Sequence, residues 1–358
     1  MRPLKIAILS MTHGHTRKYF QTLNDNPQLD WVAVSAESPS VRDDFYTYGY
    51  KSIPCYMSDE EMFREHPDIE AVVIASANAR HLEQVKMCAA KGIHVLSMKI
   101  PTFDMDEYDV MMDVVEKAGI ICQVELEMHY NPVIARMKSI LEERRLGSLL
   151  SFNATNITLS PVYAFPWQGT PELSYGKRVQ LKEGDRRFRG GALCDHPHIF
   201  DMIRWLTGSD FEYVYAEVGQ NIRTDIEEED VIIVNGKMRN GVSFLLDPSW
   251  SRHEEKVTTP QNWDLFPKRM EVNIDIFGED GVLLSDCFGP NVWHNGHPKD
   301  RYRVQYTYFD EWIGLIDEFV DCIRNKHIPK INLAWHRKTI EVMNACYESV
   351  RSGQPVYL

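Results

Sequence analysis

The sequence lacks long hydrophobic runs, and its cysteines lack the close spacing of metal-binding or redox motifs. No apolar stretch approaches the roughly 18–20 residues that span a bilayer. The N-terminal residues lead from a basic residue into a strand-like run without a small-residue cleavage site, so we expect no signal peptide. The seven cysteines are odd in number, and no two have the spacing of a zinc knuckle or a redox motif. These absences favour a reduced, cytoplasmic setting.

The chain has fewer basic residues than acidic ones. The chain has 39 lysines and arginines against 52 aspartates and glutamates, which gives a formal net charge of −13. Nucleic acids and anionic membranes attract basic surfaces, so neither is expected as a partner. At 358 residues, 44% of them hydrophobic, the chain has a globular composition and is too long for one ordinary core. We therefore expect two domains.

Short apolar runs alternate with segments of helical periodicity through the first 125 residues. Strands are predicted at residues 4–9, 31–36, 71–75, 94–97 and 120–124, and helices at 15–23, 81–91 and 105–118. Buried strands that alternate with helices indicate an α/β domain with a doubly wound parallel sheet of the Rossmann type. Ligands of such sheets bind at the carboxyl ends of the strands, which here are residues 10–15, 37, 76–78 and 98–101.

Glu37 follows the second predicted strand. An acidic side chain at this place accepts hydrogen bonds from the adenosine ribose hydroxyls of a dinucleotide. A carboxylate there repels a 2′-phosphate, so NAD is favoured over NADP as the cofactor. The alternative is an ordinary solvated glutamate on the surface.

The turn after the first strand is poor in glycine. The dinucleotide fingerprint G-x-G-x-x-G would occupy residues 10–15, but the chain has Ser10, Thr12, His13, Gly14 and His15 there, with a single glycine. By this motif alone the turn is not a dinucleotide site. Ser10 and Thr12 are nevertheless small enough to let a pyrophosphate approach, and His13 or His15 could add donors at the start of the helix.

A second polar cluster lies between Gly190 and Gly208, in the stretch GGALCDHPHIFDMIRWLTG. Asp195, His196 and His198 follow its two glycines, and the stretch ends with a helix-stop signal at Gly208. The spacing predicts one helix with the polar residues in its first turns, where negative charge and bound anions are favoured. Residues three apart share a helix face, so Asp195 and His198 would point into one cavity. The alternative is a capped core helix with buried histidines.

Five segments share their order and spacing with the motifs of a known family. Residues 68–81 resemble its fourth strand and P-N-x-x-H turn, and residues 91–99 resemble its G-K-H-V-L-C-E-K-P segment. Residues 128–132 and 146–147 resemble its crossover helix, residues 190–208 its G-G-G-x-L-x-D-x-x-x-H-x-x-D motif, and residues 347–356 its C-terminal tail. Through these segments the chain resembles the Gfo/Idh/MocA family of NAD(P)-dependent oxidoreductases, the group of glucose–fructose oxidoreductase and inositol dehydrogenase.

The resemblance implies a Rossmann domain over residues 1–125 and an α+β domain over residues 126–358, with a C-terminal helix packed back on the first domain. The second domain would carry an open, mainly antiparallel sheet. Family members form oligomers through this sheet, so a homodimer or homotetramer is expected. Alternating or β-branched runs agree with such a sheet at residues 149–159, 213–219, 230–238, 242–247 and 270–277. Asn240-Gly241 predicts a two-residue hairpin.

The same resemblance implies which residues carry hydride-transfer chemistry. Lys99 matches the family lysine that reaches the reacting hydroxyl beside the nicotinamide, and Asp195 and His198 match the pair that holds or relays the proton. The chain departs from the family in two places. Met98 replaces the glutamate before the lysine and the proline is delayed to Pro101, and the interval from Asp195 to His198 is three residues rather than four. The expected cofactor-binding residues are Ser10, Thr12, His13, Gly14, His15, Glu37, Ser76, Asn78, His81 and Lys99.

Substrate contacts are expected from the crossover and from the loop before residue 190. His129 and Tyr130 lie where the family often lines its pocket, with packing beneath the crevice as the alternative. Trp167 suits stacking on the apolar face of a sugar. Arg187 is one of three neighbouring arginines that could hold a hydroxyl-rich or carboxylate-bearing substrate. His196 could reach a sugar hydroxyl.

The leading hypothesis is an NAD-dependent dehydrogenase that acts on a secondary alcohol of a sugar, an inositol or a glycoside. A second hypothesis is an enzyme that retains NAD and cleaves or isomerises a glycosidic bond by transient oxidation. A third is a non-catalytic sensor or assembly subunit on the same fold. A fourth is a metal hydrolase that uses His13, His15, His196 and His198, but these residues lie where cofactor and substrate are expected, and no metal is predicted.

Overall fold

The computed structural model describes residues 2–158, 191–222, 228–251, 270–287, 291–295, 302–305 and 310–358. These residues form two compact units. The first unit runs up to Leu126 and includes Trp312–Arg337, and the second holds the described residues from Glu127 to Glu311 together with Lys338–Leu358. No helix among the described residues is both long and apolar enough to cross a membrane.

Six parallel strands form the sheet in the described part of the first unit. They are β1 (Leu4–Leu9), β2 (Leu29–Ser35), β3 (Cys55–Tyr56), β4 (Ala71–Ile74), β5 (His94–Ser97) and β6 (Cys122–Val124). They pair in the order β3-β2-β1-β4-β5-β6, and each pairing is parallel. The predicted doubly wound Rossmann sheet is therefore confirmed. The strand order reverses between β1 and β4, and sheets of this kind bind ligands at the carboxyl ends of the strands at such a switch point.

The helices between these strands begin and end at clear local signals. They are α1 (Thr16–Asp25), α2 (Pro39–Thr47), α3 (Asp59–Glu65), α4 (His81–Lys91) and α5 (Met105–Ala118). The side chains of Ser38, Ser58 and Asp104 cap α2, α3 and α5, each by accepting the N–H three residues further on. Gly92 and Gly119 end α4 and α5 in the left-handed conformation that glycine adopts most easily.

The segment between β2 and β4 differs from the sequence prediction, which has no element there. The structure places α2, β3 and α3 in this segment. Strand β3 has only two residues and the helices have nine and seven, so none is long enough to give a strong periodic pattern. The signals that the sequence does carry are the two helix caps, Ser38 before Pro39 and Ser58 before an acidic first turn.

A mixed sheet of nine strands forms the described core of the second unit. The strands are β7 (Leu149–Thr158), β8 (Phe211–Val218), β9 (Ile232–Met238), β10 (Ser243–Asp247), β11 (Met270–Gly278), β12 (Val282–Asp286), β13 (Asn291–Asn295), β14 (Tyr302–Gln305) and β15 (Val356–Tyr357). Their order is β14-β13-β12-β11-β7-β10-β9-β8-β15. Strands β7 and β10 pair in parallel and the other neighbours pair antiparallel, which confirms the predicted open, mainly antiparallel sheet. The predicted hairpin joins β9 and β10, with Gly241 at φ +93°.

Helices of the second unit pack against this sheet. The remaining helices of the chain's described part are α6 (Pro132–Glu142), α7 (Ala192–Asp195), α8 (Pro197–Thr207), α9 (Glu311–Asn325) and α10 (Leu333–Ser352). Helix α8 contacts β7 and α6. Burial alternates along the strands, since Phe152 and Phe244 are buried whereas Leu245 and Leu284 are more than one-third exposed. Within the described residues, the face that carries these two leucines is exposed.

Candidate active site

The loop between β1 and α1 is ordered by hydrogen bonds within the chain. Ser10 stands at the first glycine position of the fingerprint, and its φ of +69° lies in the left-handed region, which costs a residue with a β-carbon roughly 1–2 kcal/mol. The N–H of Ser10 donates to Ser35 Oγ at 2.9 Å, and the N–H of His13 donates to the Ala75 carbonyl at 2.9 Å. The N–H of His15 donates to Nδ1 of His13 at 3.2 Å. The turn thus has the backbone conformation that glycine usually adopts, although the residue at this position is a serine.

Glu37 lies two residues after the end of β2, at the predicted position for a ribose contact. Its side chain is partly open, and its Oε1 lies 3.8 Å from Nη1 of Arg80. Burial raises the pKa of the Glu37 carboxyl, whereas the charge of Arg80 acts to lower it. A partly open carboxylate at this strand end is suited to accept hydrogen bonds from a ribose diol.

Asn78 and His81 face the loop that follows β5. Nδ2 of Asn78 donates to the Ile100 carbonyl at 2.7 Å, and Nδ1 of His81 lies 3.0 Å from the Pro101 carbonyl. Burial lowers the pKa of His81 to about 4, so its ring is neutral at pH 7. Ser76 is turned to another protein group, since its Oγ donates to Oε1 of Gln84 at 2.6 Å. Asn78 and His81 therefore hold the loop that carries Lys99. Contact of Ser76, Asn78 and His81 with a cofactor stays a prediction.

Lys99 lies in this loop and is almost completely buried, with 3% of its surface exposed. Its backbone N–H donates to Oε2 of Glu125 at 3.2 Å. The peptide bond between Lys99 and Ile100 is cis. The lysine is therefore set at the carboxyl end of β5 within the first unit, as the sequence predicts, in a loop held by Asn78, His81 and Glu125.

Glu125 is a site residue that the sequence analysis misses. It follows β6, its side chain has no exposed surface, and its Oε1 lies 2.7 Å from Nδ1 of His15. One carboxylate thereby connects the loop after β1 with the loop of Lys99. The signal that could have identified it is its place directly after a predicted parallel strand, where ligand sites are found.

His129 lies in the interior of the second unit rather than on a surface open to substrate. It is part of the short 3-10 helix Glu127–Tyr130, and its Nε2 contacts Oδ2 of Asp201, with both side chains fully buried. The ring of Trp205 lies 4.5 Å from that of His129, measured between centroids. His129 therefore holds this segment against α8. This contact agrees with the packing alternative and not with the expected role of binding substrate. Tyr130 is half-buried at the end of the same turn.

The polar cluster does not lie on one helix, which corrects the sequence prediction. Helix α7 ends at Asp195, His196 has non-helical dihedrals (φ −115°, ψ 56°), and α8 begins at Pro197. The proline ring disfavours helical geometry in the residue before it, so the chain turns at His196. Asp195 and His198 consequently sit on two successive helices. The predicted end of the helix at Thr207-Gly208 is confirmed, with Gly208 at φ +65°.

Asp195 is oriented by a tryptophan that the sequence analysis does not identify. Nε1 of Trp250 donates to Oδ2 of Asp195 at 2.8 Å, and the Trp250 side chain is fully buried. The same carboxylate oxygen lies 3.4 Å from Nε2 of His196. The contact joins residues 55 positions apart in sequence, so local patterns do not reveal it.

Both ring nitrogens of His196 face protein groups. Nδ1 lies 2.7 Å from the Pro248 carbonyl, and Nε2 lies 3.0 Å from Oγ1 of Thr158. The residue is 2% exposed. His196 therefore bridges β7 and the segment after β10, which differs from the expected role of binding a sugar hydroxyl.

His198 lies beside a carboxylate. Its Nε2 is 3.9 Å from Oε1 of Glu127, and both side chains are more than nine-tenths buried. An imidazolium at this distance from a carboxylate is stabilised by the opposite charge. Glu127 is thus a further residue that the sequence analysis misses. Its carboxylate is placed to stabilise the charged form of His198 during proton transfer.

A buried glutamate supports the start of the helix that ends at Asp195. The Glu229 carbonyl accepts the N–H of Ala192 at 2.9 Å, and its Oε1 accepts the N–H of Leu193 at 3.2 Å and the hydroxyl of Tyr347 at 2.7 Å. A β-carbon on Gly191 would lie 2.2 Å from the Glu229 carbonyl oxygen. The glycine is therefore required for this close approach. Burial raises the pKa of Glu229 from 4.5 to about 7.

This carboxyl makes the stability of the fold depend on pH. Because the folded pKa is raised, the folded chain retains a proton that the unfolded chain releases, and the resulting stability is present below about pH 4.5 and lost as the pH rises through 7. The loss amounts to about 3 kcal/mol. In Glu229→Gln we expect the free energy of unfolding to fall less steeply from about pH 5 to about pH 8, by an amount of this order. Urea unfolding at several pH values measures the slope.

Glu228→Gln is the matched control, because Glu228 neighbours the buried residue but is half-exposed. The charge of Glu228 makes the smallest of the contributions to the raised pKa of Glu229, so this variant should change the pH slope only slightly. If Glu229→Gln changes that slope no more than this, another group is responsible for it.

Two predicted substrate-binding residues, Trp167 and Arg187, lie outside the described residues. The other predicted positions divide between the units. The first unit holds Ser10, Thr12, His13, Gly14, His15, Glu37, Ser76, Asn78, His81 and Lys99, and the second holds His129, Tyr130, Asp195, His196 and His198.

Both halves of the chain match one family of enzymes. Residues 6–126 match the oxidoreductase family with an NAD-binding Rossmann fold that is designated GFO/IDH/MocA. Residues 134–284 match the GFO/IDH/MocA C-terminal domain.

Individual relatives agree with this assignment. The chain is 26% identical to the uncharacterized oxidoreductase YrbE of Bacillus subtilis, over 84% of this chain and 81% of that protein. It is 22% identical to the myo-inositol 2-dehydrogenase of Thermotoga maritima, over 75% and 73% of the two chains. An oxidoreductase from Agrobacterium radiobacter, solved with NAD+, L-tartaric acid and magnesium, has the same fold with a TM-score of 0.77 at 20% identity, and the match covers 99% of this chain and 98% of that one.

Proposed function

We propose that this chain is an NAD-dependent dehydrogenase that acts on a secondary alcohol of a sugar, an inositol or a glycoside. The chain belongs to the Gfo/Idh/MocA family of oxidoreductases. The observation that carries this proposal is the buried Lys99 at the carboxyl end of β5, tied through Glu125 to the loop after β1. The inositol dehydrogenase among the relatives supports the substrate class. The hypotheses of a glycoside-cleaving enzyme and of a non-catalytic subunit have no such support.

The residues of the first unit fit a dinucleotide. Glu37 supplies a partly open carboxylate at the end of β2 for the ribose hydroxyls. Ser10 keeps the left-handed conformation that brings the backbone close to a pyrophosphate, and α1 begins a few residues later, at Thr16. When bound, the nicotinamide accepts or donates the hydride.

The chain's own groups handle the proton. We assign Lys99 to the oxygen of the reacting hydroxyl, where its ammonium stabilises negative charge and exchanges a proton. In the second unit, His198 is assigned to general acid–base transfer, with Glu127 stabilising its charged form. Asp195, held by the Trp250 indole, is assigned to a substrate hydroxyl.

A screen of NADH formation tests the proposal. Purified protein is mixed with NAD and a panel of free sugars, inositols and glycosides, and NADH absorbance is followed. We expect net NADH formation with at least one secondary alcohol. Release of a sugar without net NADH would contradict the dehydrogenase assignment, and no binding of NAD(H) by titration would contradict the enzyme assignment altogether.

The open face of the nine-stranded sheet supports the proposal of a homo-oligomer. Leu245 lies in register with Asn153, Asp275 and Leu284 across β10, β7, β11 and β12. The two leucines at the ends of this row are 45% and 38% exposed. These two leucines flank Asn153 and Asp275, and exposed apolar side chains on a sheet face suit a contact surface. Sedimentation of the purified protein should give a dimer or tetramer rather than a monomer.

The cysteines support a location in a reducing compartment as part of this proposal. All seven are free thiols, and secreted proteins commonly pair theirs. We therefore assign the enzyme to the cytoplasm.

A further inference from the structure

The guanidinium of Arg80 lies between the carboxylates of Glu37, which follows β2, and of Asp59, which begins α3. Its Nη2 donates to Oδ2 of Asp59 at 2.9 Å, and its Nη1 lies 3.8 Å from Oε1 of Glu37. The side chain of Asp59 is 3% exposed, whereas those of Glu37 and Arg80 are 25% and 39% exposed. The guanidinium is therefore anchored to a buried group and stays partly open to solvent beside Glu37.

The anchor is part of a buried hydrogen-bond network. Asp59, the first residue of α3, accepts the hydroxyl of Ser35 through Oδ1 and the amide of Gln84 through Oδ2, the latter at 2.7 Å. Ser35 in turn accepts the N–H of Ser10 at 2.9 Å. Arg80 is thus fixed relative to the ends of β1 and β2, and the charge of Asp59 is met by three donors.

This arrangement changes the electrostatics of the ribose position. A lone carboxylate after β2 repels a 2′-phosphate, whereas a nearby arginine accommodates one. Here the arginine is present together with the carboxylate. A guanidinium has five N–H donors, so the single bond to Asp59 leaves others to face a phosphate. Helix α2 also begins two residues after Glu37, and the positive end of its dipole favours an anion there.

We propose that Arg80 determines cofactor specificity at the 2′ position, and that it lets this site accept NADP(H) as well as NAD(H). The inference rests on the proposed dehydrogenase function. In it, Glu37 serves the ribose diol of NAD(H), and Arg80 binds the 2′-phosphate of NADP(H). The Glu37 carboxylate after β2 therefore discriminates less strongly between NAD(H) and NADP(H) in this chain than it would without Arg80.

Direct binding measurements test the proposal without any sugar substrate. The dissociation constants of NADH and NADPH are measured by cofactor fluorescence for the unaltered protein and for Arg80→Gln, Arg80→Lys and Glu37→Gln. We expect the unaltered protein to bind both cofactors. Arg80→Gln should weaken NADPH about tenfold more than NADH, since a charge-assisted bond to phosphate is lost. Arg80→Lys should retain part of the NADPH affinity, and Glu37→Gln should weaken NADH while strengthening NADPH.

Arg64→Gln is the matched control, because Arg64 is an exposed arginine on α3 that pairs with neighbouring glutamates. It should change neither constant. Equal weakening of both cofactors by Arg80→Gln would overturn the proposal and leave Arg80 a structural role. Binding of NADH without NADPH by the unaltered protein would also overturn it but would leave the dehydrogenase function standing. Binding of neither cofactor would overturn both.

Discussion

Exchanging Lys99 for methionine is expected to reduce turnover about 10³-fold while NADH affinity stays within about threefold, because a positioned proton-transfer group contributes 10²–10⁴-fold. Methionine keeps the apolar stem of a side chain that is almost fully buried, so packing is preserved. The backbone N–H that Lys99 donates to Glu125 is also retained. The substitution thereby removes the ammonium and little else.

Lys91→Met provides the control, since it is the same exchange at an exposed lysine at the end of α4. Turnover with the best substrate and NADH titration are measured for both variants. Turnover of Lys99→Met within tenfold of the unaltered protein would show that another group exchanges the proton. A matching loss of NADH affinity would show that the lysine binds the cofactor instead of acting on the substrate.

Gly191→Ala is expected to lower the free energy of unfolding by about 3 kcal/mol and to abolish most activity. The added β-carbon would meet the Glu229 carbonyl oxygen at 2.2 Å and its carboxyl carbon at 2.5 Å. Relief requires that the Glu229 segment and the start of α7 move apart. That movement breaks the hydrogen bonds to Ala192 and Leu193 and displaces Asp195.

Gly219→Ala is the matched control, because its β-carbon would first meet a side-chain methyl of Val231 at 2.7 Å and would reach backbone only at 3.7 Å. The methyl can rotate away, and the Val231 β-carbon at 3.2 Å needs to move by only a few tenths of an ångström, so we expect a loss below about 1 kcal/mol. Denaturant unfolding of both variants measures the difference. A Gly191→Ala variant as stable as Gly219→Ala would show that the close contact relaxes at no cost.

The parts of the fold that were predictable are those with strong local signals. The bounds predicted for β1, α4, β5 and α5 agree with the structure, because buried strands are continuous apolar runs and Gly92 and Gly119 mark helix ends. The two-residue β3 and the short helices around it carry no comparable period. Their formation depends on the parallel pairing of β2 with β3, which is not visible in either segment alone.

The candidate site divides in a similar way. Motif spacing along the chain identifies Lys99, Asp195 and His198 as candidates, and their catalytic roles stay a prediction. Their partners Glu125 and Trp250 were missed, since each pairs with a residue that is distant in sequence. The break at His196 was predictable in principle, because a residue that precedes proline is disfavoured in a helix.

The bonds within the loop after β1 have a consequence for how a cofactor binds. The N–H groups of Ser10, Thr12, His13 and His15 all have acceptors in the chain. The loop therefore loses its conformational entropy when the protein folds and not when a ligand arrives. A dinucleotide meets a rigid surface, so its association should proceed in one kinetic phase, without a slower step in which the loop becomes ordered.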